Sequence, residues 1–151
     1  MVCCFFGHSE VRVSIEEHLR STLVELIDEG VDSFLVGNQG GFDGLVLHML
    51  RKLQQEYPHI SYHVVLAYMP GEKADRSYYD PLETLYPEGL ESVHPRYAIS
   101  WRNRWMINES DVVVTYITHS WGGAAQFAEL AVRKKKRVIN IASLMTAKTE
   151  K

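Results

Sequence analysis

Two short apolar runs in this chain end on glycine-rich turns that open directly into amphipathic segments, and this junction constrains the fold more than any other feature. The first is Ser33-Phe34-Leu35-Val36, running into Gly37-Asn38-Gln39-Gly40-Gly41. The second runs from Asp111 to Ile117, centred on Val112-Val113-Val114, and meets the turn Thr118-His119-Ser120-Trp121-Gly122-Gly123. Uninterrupted apolar runs of this length suit strands buried on both faces, which is the habit of parallel sheets. When such runs alternate with helical stripes, the expected architecture is a sheet covered by helices.

The remaining elements follow the same rhythm. Residues 2–6 read as the first strand. Ser14 reads as a helix N-cap, with Glu17 completing a capping box. Ile15, Leu19, Leu23, Leu26 and Ile27 form the stripe of that helix, and Gly30 stops it. A second helix starts near Phe42 or Asp43, with the stripe Leu45, Val46, Met49, Leu50 and Leu53 and Pro58 past its end. His63 to Tyr68 is a third strand, rich in β-branched and aromatic residues. A helix is expected from about Arg96 to Glu109, and a fourth carries Phe127, Leu130 and Ala131 inward. The cations Lys134-Lys135-Lys136-Arg137 close that helix, where they complement its dipole. Val138-Ile139-Asn140-Ile141 is the fifth strand, and residues 143–151 read as a polar tail. The fold class is therefore α/β: a Rossmann-like three-layer fold with a mainly parallel sheet of about five strands flanked by helices. Residues 1–151 read as a single domain.

Residues 70–95 break the pattern. They hold Pro70, Pro81, Pro87, Pro95 and the tyrosines Tyr78, Tyr79 and Tyr86. A loop of that length in a compact domain is most often a lid or a binding loop; a short helix from Pro81 to Leu85 fits inside it.

Composition narrows the function classes. The chain has 151 residues and a formal charge of −3, so its global charge recruits neither nucleic acid nor an anionic membrane. Nucleic acid is thus not expected as a partner. No run approaches the roughly 18 apolar residues of a membrane span, and no signal-peptide core is visible. A cytoplasmic location and no membrane partner are expected. The two cysteines, Cys3 and Cys4, lie within a strand, and no histidine shows metal-ligand spacing. Neither a metal nor a cofactor is expected.

In a doubly wound sheet, ligands bind beyond the carboxyl ends of the strands where the strand order reverses. Three turns follow strand ends: Gly7-His8-Ser9, Gly37 to Gly41, and Ser120 to Gly123. Glycine lets the backbone approach an anion, and a helix N-terminus offers free N–H groups with a partial positive charge. Gly7, His8, Gly37, Gly40, Gly41, Asp43, Ser120, Gly122 and Gly123 are the candidate ligand- or phosphate-binding residues. Asp43 reads first as an N-cap. Trp101 and Trp105 share a helix face with Arg102 beside them, and the planar guanidinium of Arg102 suits phosphate or carboxylate.

Taken together, Phe6-Gly7-His8, Val36-Gly37, Gly40-Gly41-Phe42-Asp43, Arg102-Asn103-Arg104-Trp105-Met106, Ser110-Asp111, Gly122-Gly123 and Ala131 resemble the SLOG superfamily. That superfamily groups the DNA-processing Smf/DprA proteins with the LOG phosphoribohydrolases, and the resemblance is greatest to its small stand-alone YspA-like and YpsA-like members. It covers most of the chain, leaving residues 70–95 and the tail weakly matched. It implies a Rossmann-like fold that binds nucleotides or nucleotide-derived molecules. In the LOG branch an arginine and a glutamate support cleavage of a nucleotide N-glycosidic bond. Arg102 and Glu129 match those two positions, so the resemblance makes them candidate catalytic residues. The motif here reads Gly122-Gly123-Ala124-Ala125-Gln126-Phe127-Ala128-Glu129, with Ala125 and Gln126 replacing a glycine and a threonine.

The leading expectation is binding of a nucleotide or nucleotide derivative, as in a sensor. The alternative is a nucleoside 5′-monophosphate N-glycosidase using Arg102 and Glu129. A third is a single-stranded nucleic-acid binder. Exposed apolar helix faces leave room for pairing into a homodimer.

Overall fold

The computed structural model describes residues 1–68 and 81–149. The strands are β1 (Val2–Gly7), β2 (Ser33–Val36), β3 (Ser61–Val65), β4 (Thr84–Leu85), β5 (Val112–Tyr116) and β6 (Arg137–Asn140). The helices are α1 (Glu16–Asp28), α2 (Gly41–Glu56), α3 (Ala98–Glu109), α4 (Gly123–Arg133) and α5 (Ile141–Thr149). All pairings are parallel, in the order β4-β3-β2-β1-β5-β6. The chain therefore steps outward from β1 to β4, then returns to lay β5 on the other side of β1. The strand order reverses between β1 and β5, and that reversal opens a crevice at their carboxyl ends.

The apolar pattern explains the layering. Successive side chains of a strand point to opposite faces. Cys3 and Phe5 of β1 join the core formed with α1, α2 and α5, while Cys4 and Phe6 join the one formed with α3 and α4. Both cysteines are buried free thiols, and desolvation raises both thiol pKa values, that of Cys4 to about 12. Gly30, at φ 111°, ends α1: its own N–H reaches Ile27 O, and that of Val31 reaches Leu26 O.

Several expectations change. α1 begins at Glu16 with Ile15 at its cap and no side-chain cap bond, so Ser14 does not cap the helix. Leu45 is half-exposed, and Phe42 and Leu47 take its place in the buried face of α2. β3 starts at Ser61 and ends at Val65 rather than running from His63 to Tyr68. The tail expected from residue 143 is instead part of α5, whose Ile141 is fully buried beside β5 and α1. Pro81–Glu83 is one turn of 3-10 helix followed by the edge strand β4, which makes the sheet six-stranded. Two further 3-10 turns, Leu90–Ser92 and Pro95–Tyr97, lead into α3. The rest of the expected lid, residues 69–80, lies outside the described residues. No helix among the described residues is long and apolar enough to cross a membrane.

Candidate functional site

The crevice between the carboxyl ends of β1 and β5 is a cavity of about 710 Å³, within the range of small-molecule sites. Its walls come from the β1 exit (Gly7, His8, Ser9), the β2 exit (Gly37, Gln39), the first turn of α2 (Asp43), α3 (Ile99, Arg102, Asn103, Met106) and the start of α4 (Gly122, Gly123, Ala124).

Gly7 is required by packing and also lines the cavity. A Cβ on Gly7 would lie 2.3 Å from the ring of Phe42, which is fully buried. Gly40 and Gly41 serve the same end. Gly40 has φ 93°, a Cβ there would come within 2.7 Å of Ser9 Cα, and Gly41 N–H donates to Ser9 O at 2.7 Å. This pair seats the β1 exit loop and does not line the cavity. Gly37 does line it: a side chain there would stand 3.0 Å from Asp43 Oδ2 and 3.3 Å from Arg102 Cζ. The absent side chain lets a carboxylate and a guanidinium converge on the floor of the cavity.

Arg102 is only 1% exposed. Its Nη1 donates to Val65 O at 2.8 Å and to Asn38 Oδ1 at 3.1 Å, and its Nε donates to Asn103 Oδ1 at 2.8 Å. Nη2 has no hydrogen-bond acceptor among the described residues. Burial lowers the pKa of Arg102, opposed by the charge of Asp43. Asp43 accepts from Gln39 N–H at 2.9 Å. Desolvation lifts its carboxyl from 3.8 to about 6, against the lowering effect of that bond and of Arg102. The expected N-cap is in fact a residue of the first helical turn, reaching back to the turn before it.

The opposite wall is the start of α4. Gly122, at φ 97°, caps the helix with no side-chain cap bond. The first intrahelical bond runs from Gln126 N–H to Gly122 O at 3.2 Å. The N–H groups of Gly123, Ala124 and Ala125 therefore have no acceptor among the described residues, and a Cβ on Gly123 would meet open space. Free N–H groups at a helix N-terminus are an anion site in waiting.

His8 and the β5 exit loop are tied together. His8 Nε2 accepts from Thr118 N–H at 2.9 Å, which fixes the neutral ring with its proton on Nδ1. The ring of His119 stacks on His8 at 3.8 Å and on Trp121 at 3.8 Å, with interplanar angles of 13° and 16°. His119 Nδ1 and Trp121 O are 2.9 Å apart, so that nitrogen is the donor. Desolvation, then the nearby His119, lowers the pKa of His8. Asn140, at the end of β6, holds the same loop: its Oδ1 accepts from Ile117 N–H and its Nδ2 donates to Ile117 O, both at 3.0 Å. Reading the sequence passes over Asn140; a lone amide in the apolar run Val138-Ile139-Asn140-Ile141 was the available signal. The ladder of three rings was likewise hidden, because its members come from two strand exits.

Of the candidate residues, Gly7, His8, Gly37, Asp43, Arg102, Gly122 and Gly123 meet around one cavity. Ser120 is exposed and outside its lining. Glu129 is exposed on α4 and lines a separate shallow groove with Ser100, Arg104 and Arg133. The structure thus does not bring Glu129 and Arg102 together. Among the described residues, no three His, Cys, Asp or Glu side chains converge as metal ligands.

Comparison with known proteins agrees with this architecture. The UPF0398 protein BH1768 of Halalkalibacterium halodurans is 24% identical over 144 residues, covering 87% of this chain and 75% of its own. The fold matches DNA processing protein A from Helicobacter pylori, whose structure was determined for its unique single-stranded DNA binding mode. The TM-score is 0.57 at 15% identity, over 99% of this chain and 73% of that one. That protein binds single-stranded DNA, which corrects the expectation that a chain of this kind is excluded from nucleic acid; for this chain the likeness shows the fold. That expectation used net charge, which averages the whole surface and ignores the local field of helix N-termini and a buried arginine. The model of the YspA SLOG family matches residues 2–148, and the chain belongs to that family.

Proposed function

We propose that the cavity between β1 and β5 binds a nucleotide or nucleotide derivative through its phosphate. One observation carries the reading: the uncapped N-terminus of α4 and a buried arginine, whose Nη2 has no acceptor among the described residues, line the same cavity. An anion between them receives N–H donors from one wall and a guanidinium from another, both partly desolvated, where charge-assisted bonds are strongest. The apolar side chains Ile99, Met106 and Phe127 offer a surface for the rest of the ligand. The hydrolytic alternative has less support, because Glu129 belongs to another groove.

A calorimetric titration against nucleoside mono-, di- and triphosphates tests the reading. Gly123→Leu fills the open space in front of the α4 N–H groups while adding no contact closer than 4 Å at its Cβ. Affinity should fall more than tenfold with the unfolding free energy unchanged to within about 0.5 kcal/mol. Unaltered affinity in that variant would remove the phosphate from this site.

Single-stranded nucleic acid is a second reading, favoured by the likeness to DNA processing protein A and by the exposed aromatic ladder at the β5 exit. Backbone phosphates would then occupy the same donors. A binding constant for oligonucleotides that falls steeply with salt separates this case from a free nucleotide.

A further inference from the structure

We propose that the outer face of Trp121 is a stacking subsite for a nucleobase, placed outside the cavity that takes the phosphate; this rests on the nucleotide reading above. His8, His119 and Trp121 form a continuous stack whose two steps are each 3.8 Å. The inner end is pinned to the loop by the Thr118 N–H bond, and the middle ring by its bond to Trp121 O. Two histidines thus hold the indole flat and in place while it is itself 69% exposed. Among the described residues the indole is stacked on one side only, by His119, and a tryptophan so fixed presents its second face at little ordering cost on binding. A flat heteroaromatic ring is the partner that continues such a ladder.

Position supplies the chemistry of that partner. Trp121 is followed immediately by Gly122 and Gly123, where the free N–H groups of α4 begin. The buried Arg102 provides an independent cationic donor to the same cavity. A phosphate donor set and an aromatic platform two residues apart suit a group that is anionic at one point and planar nearby, and a nucleotide unit has that form. Base–aromatic stacking tolerates any sequence, because every base has a π face. The unit can come from a free nucleotide or from one position of a single strand.

Three probes on wild type, Trp121→Ala and Trp121→Phe test this: pyrophosphate, AMP and decathymidylate. Titration calorimetry reads affinity, and intrinsic fluorescence reads stacking on the indole. Trp121→Ala should keep the affinity for pyrophosphate within about twofold and lose on the order of tenfold for a base-bearing probe. Trp121→Phe should recover most of that loss. A loss confined to decathymidylate identifies a strand as the source of the base; a loss that includes AMP identifies a free nucleotide. Wild-type affinity of Trp121→Ala for both base-bearing probes overturns the stacking subsite and leaves the phosphate site standing. Equal loss of pyrophosphate overturns it too, since Trp121 would then only hold the loop. If wild type binds none of the three probes, the phosphate reading fails and the subsite with it.

Discussion

Asp43→Asn isolates the electrostatics of the cavity floor. Asp43 is 9% exposed, and its carboxyl is raised from 3.8 to about 6, chiefly by desolvation. A raised folded-state pKa means that the folded protein holds its proton more tightly than the unfolded chain. The resulting stability is fully present below about pH 3.8 and is lost as the pH rises through about 6. With roughly 1.4 kcal/mol for each pH unit between the folded and unfolded pKa values, that loss reaches about 3 kcal/mol by pH 7.5. Asparagine carries no charge at any pH and keeps an oxygen to accept from Gln39 N–H. Its amide N–H₂ needs a new acceptor, and failing to find one costs about 1–3 kcal/mol. That cost is the same at every pH, so it offsets the comparison without tilting it.

Urea denaturation of wild type and Asp43→Asn at pH 4, 5, 6 and 7.5 measures the tilt. Other carboxylates and His8 titrate in both proteins and cancel in the difference. The stability of Asp43→Asn relative to wild type should climb by about 2.4 kcal/mol from pH 4 to 7.5, most of it between 4 and 6. A difference flat to within about 0.5 kcal/mol over that range refutes the buried-carboxylate reasoning, since even a carboxyl raised by about one pH unit would tilt it by roughly 0.9 kcal/mol. Sulfate supplies a functional check because its charge is constant over this range. Its affinity should rise as the pH falls through 6 in wild type and hold steady in the variant.

Two further perturbations probe what holds the site. Gly7→Ala places a methyl 2.3 Å from a buried Phe42 ring; overpacking of this kind costs about 1–3 kcal/mol, and a urea midpoint equal to wild type would show that the ring moves aside freely. His8 has a lowered pKa, so its contribution to stability is present above the ordinary histidine range and is lost as the pH falls below it. Between pH 7.5 and 5 the stacked loop should therefore loosen, read as a change in Trp121 fluorescence against a Trp121→Phe blank. His8→Phe, which keeps a ring but cannot be protonated, should abolish the pH response; a response of equal size in that variant assigns it elsewhere.

The sheet was legible in the sequence because its strands are buried on both faces, and continuous apolar runs such as Val112-Val113-Val114 admit few other folds. The edge strand β4 was not: Thr84-Leu85 is two residues long and half-buried, too short for any periodicity to register. The end of the chain was misread for a related reason. The amphipathic signal of α5 is weak, and only Ile141 among its described side chains is fully buried.

The glycines separate what pattern can and cannot tell. All of Gly7, Gly37, Gly40, Gly41, Gly122 and Gly123 follow strand ends, and the sequence makes them equivalent. The structure divides them by what faces the missing side chain. Gly7 faces a core ring, and Gly40 and Gly41 face a neighbouring loop backbone. Gly37 stands between Asp43 and Arg102, and Gly123 faces open cavity. A glycine that admits a protein neighbour is a packing requirement, and substituting it should cost stability. A glycine that faces open space beside the first N–H groups of α4 admits no protein neighbour, so on the proposed phosphate reading its substitution should cost affinity alone. Gly7→Ala and Gly123→Leu therefore form a matched pair: the two effects should fall on different measurements, and a loss of stability in both would return α4 to the role of scaffold.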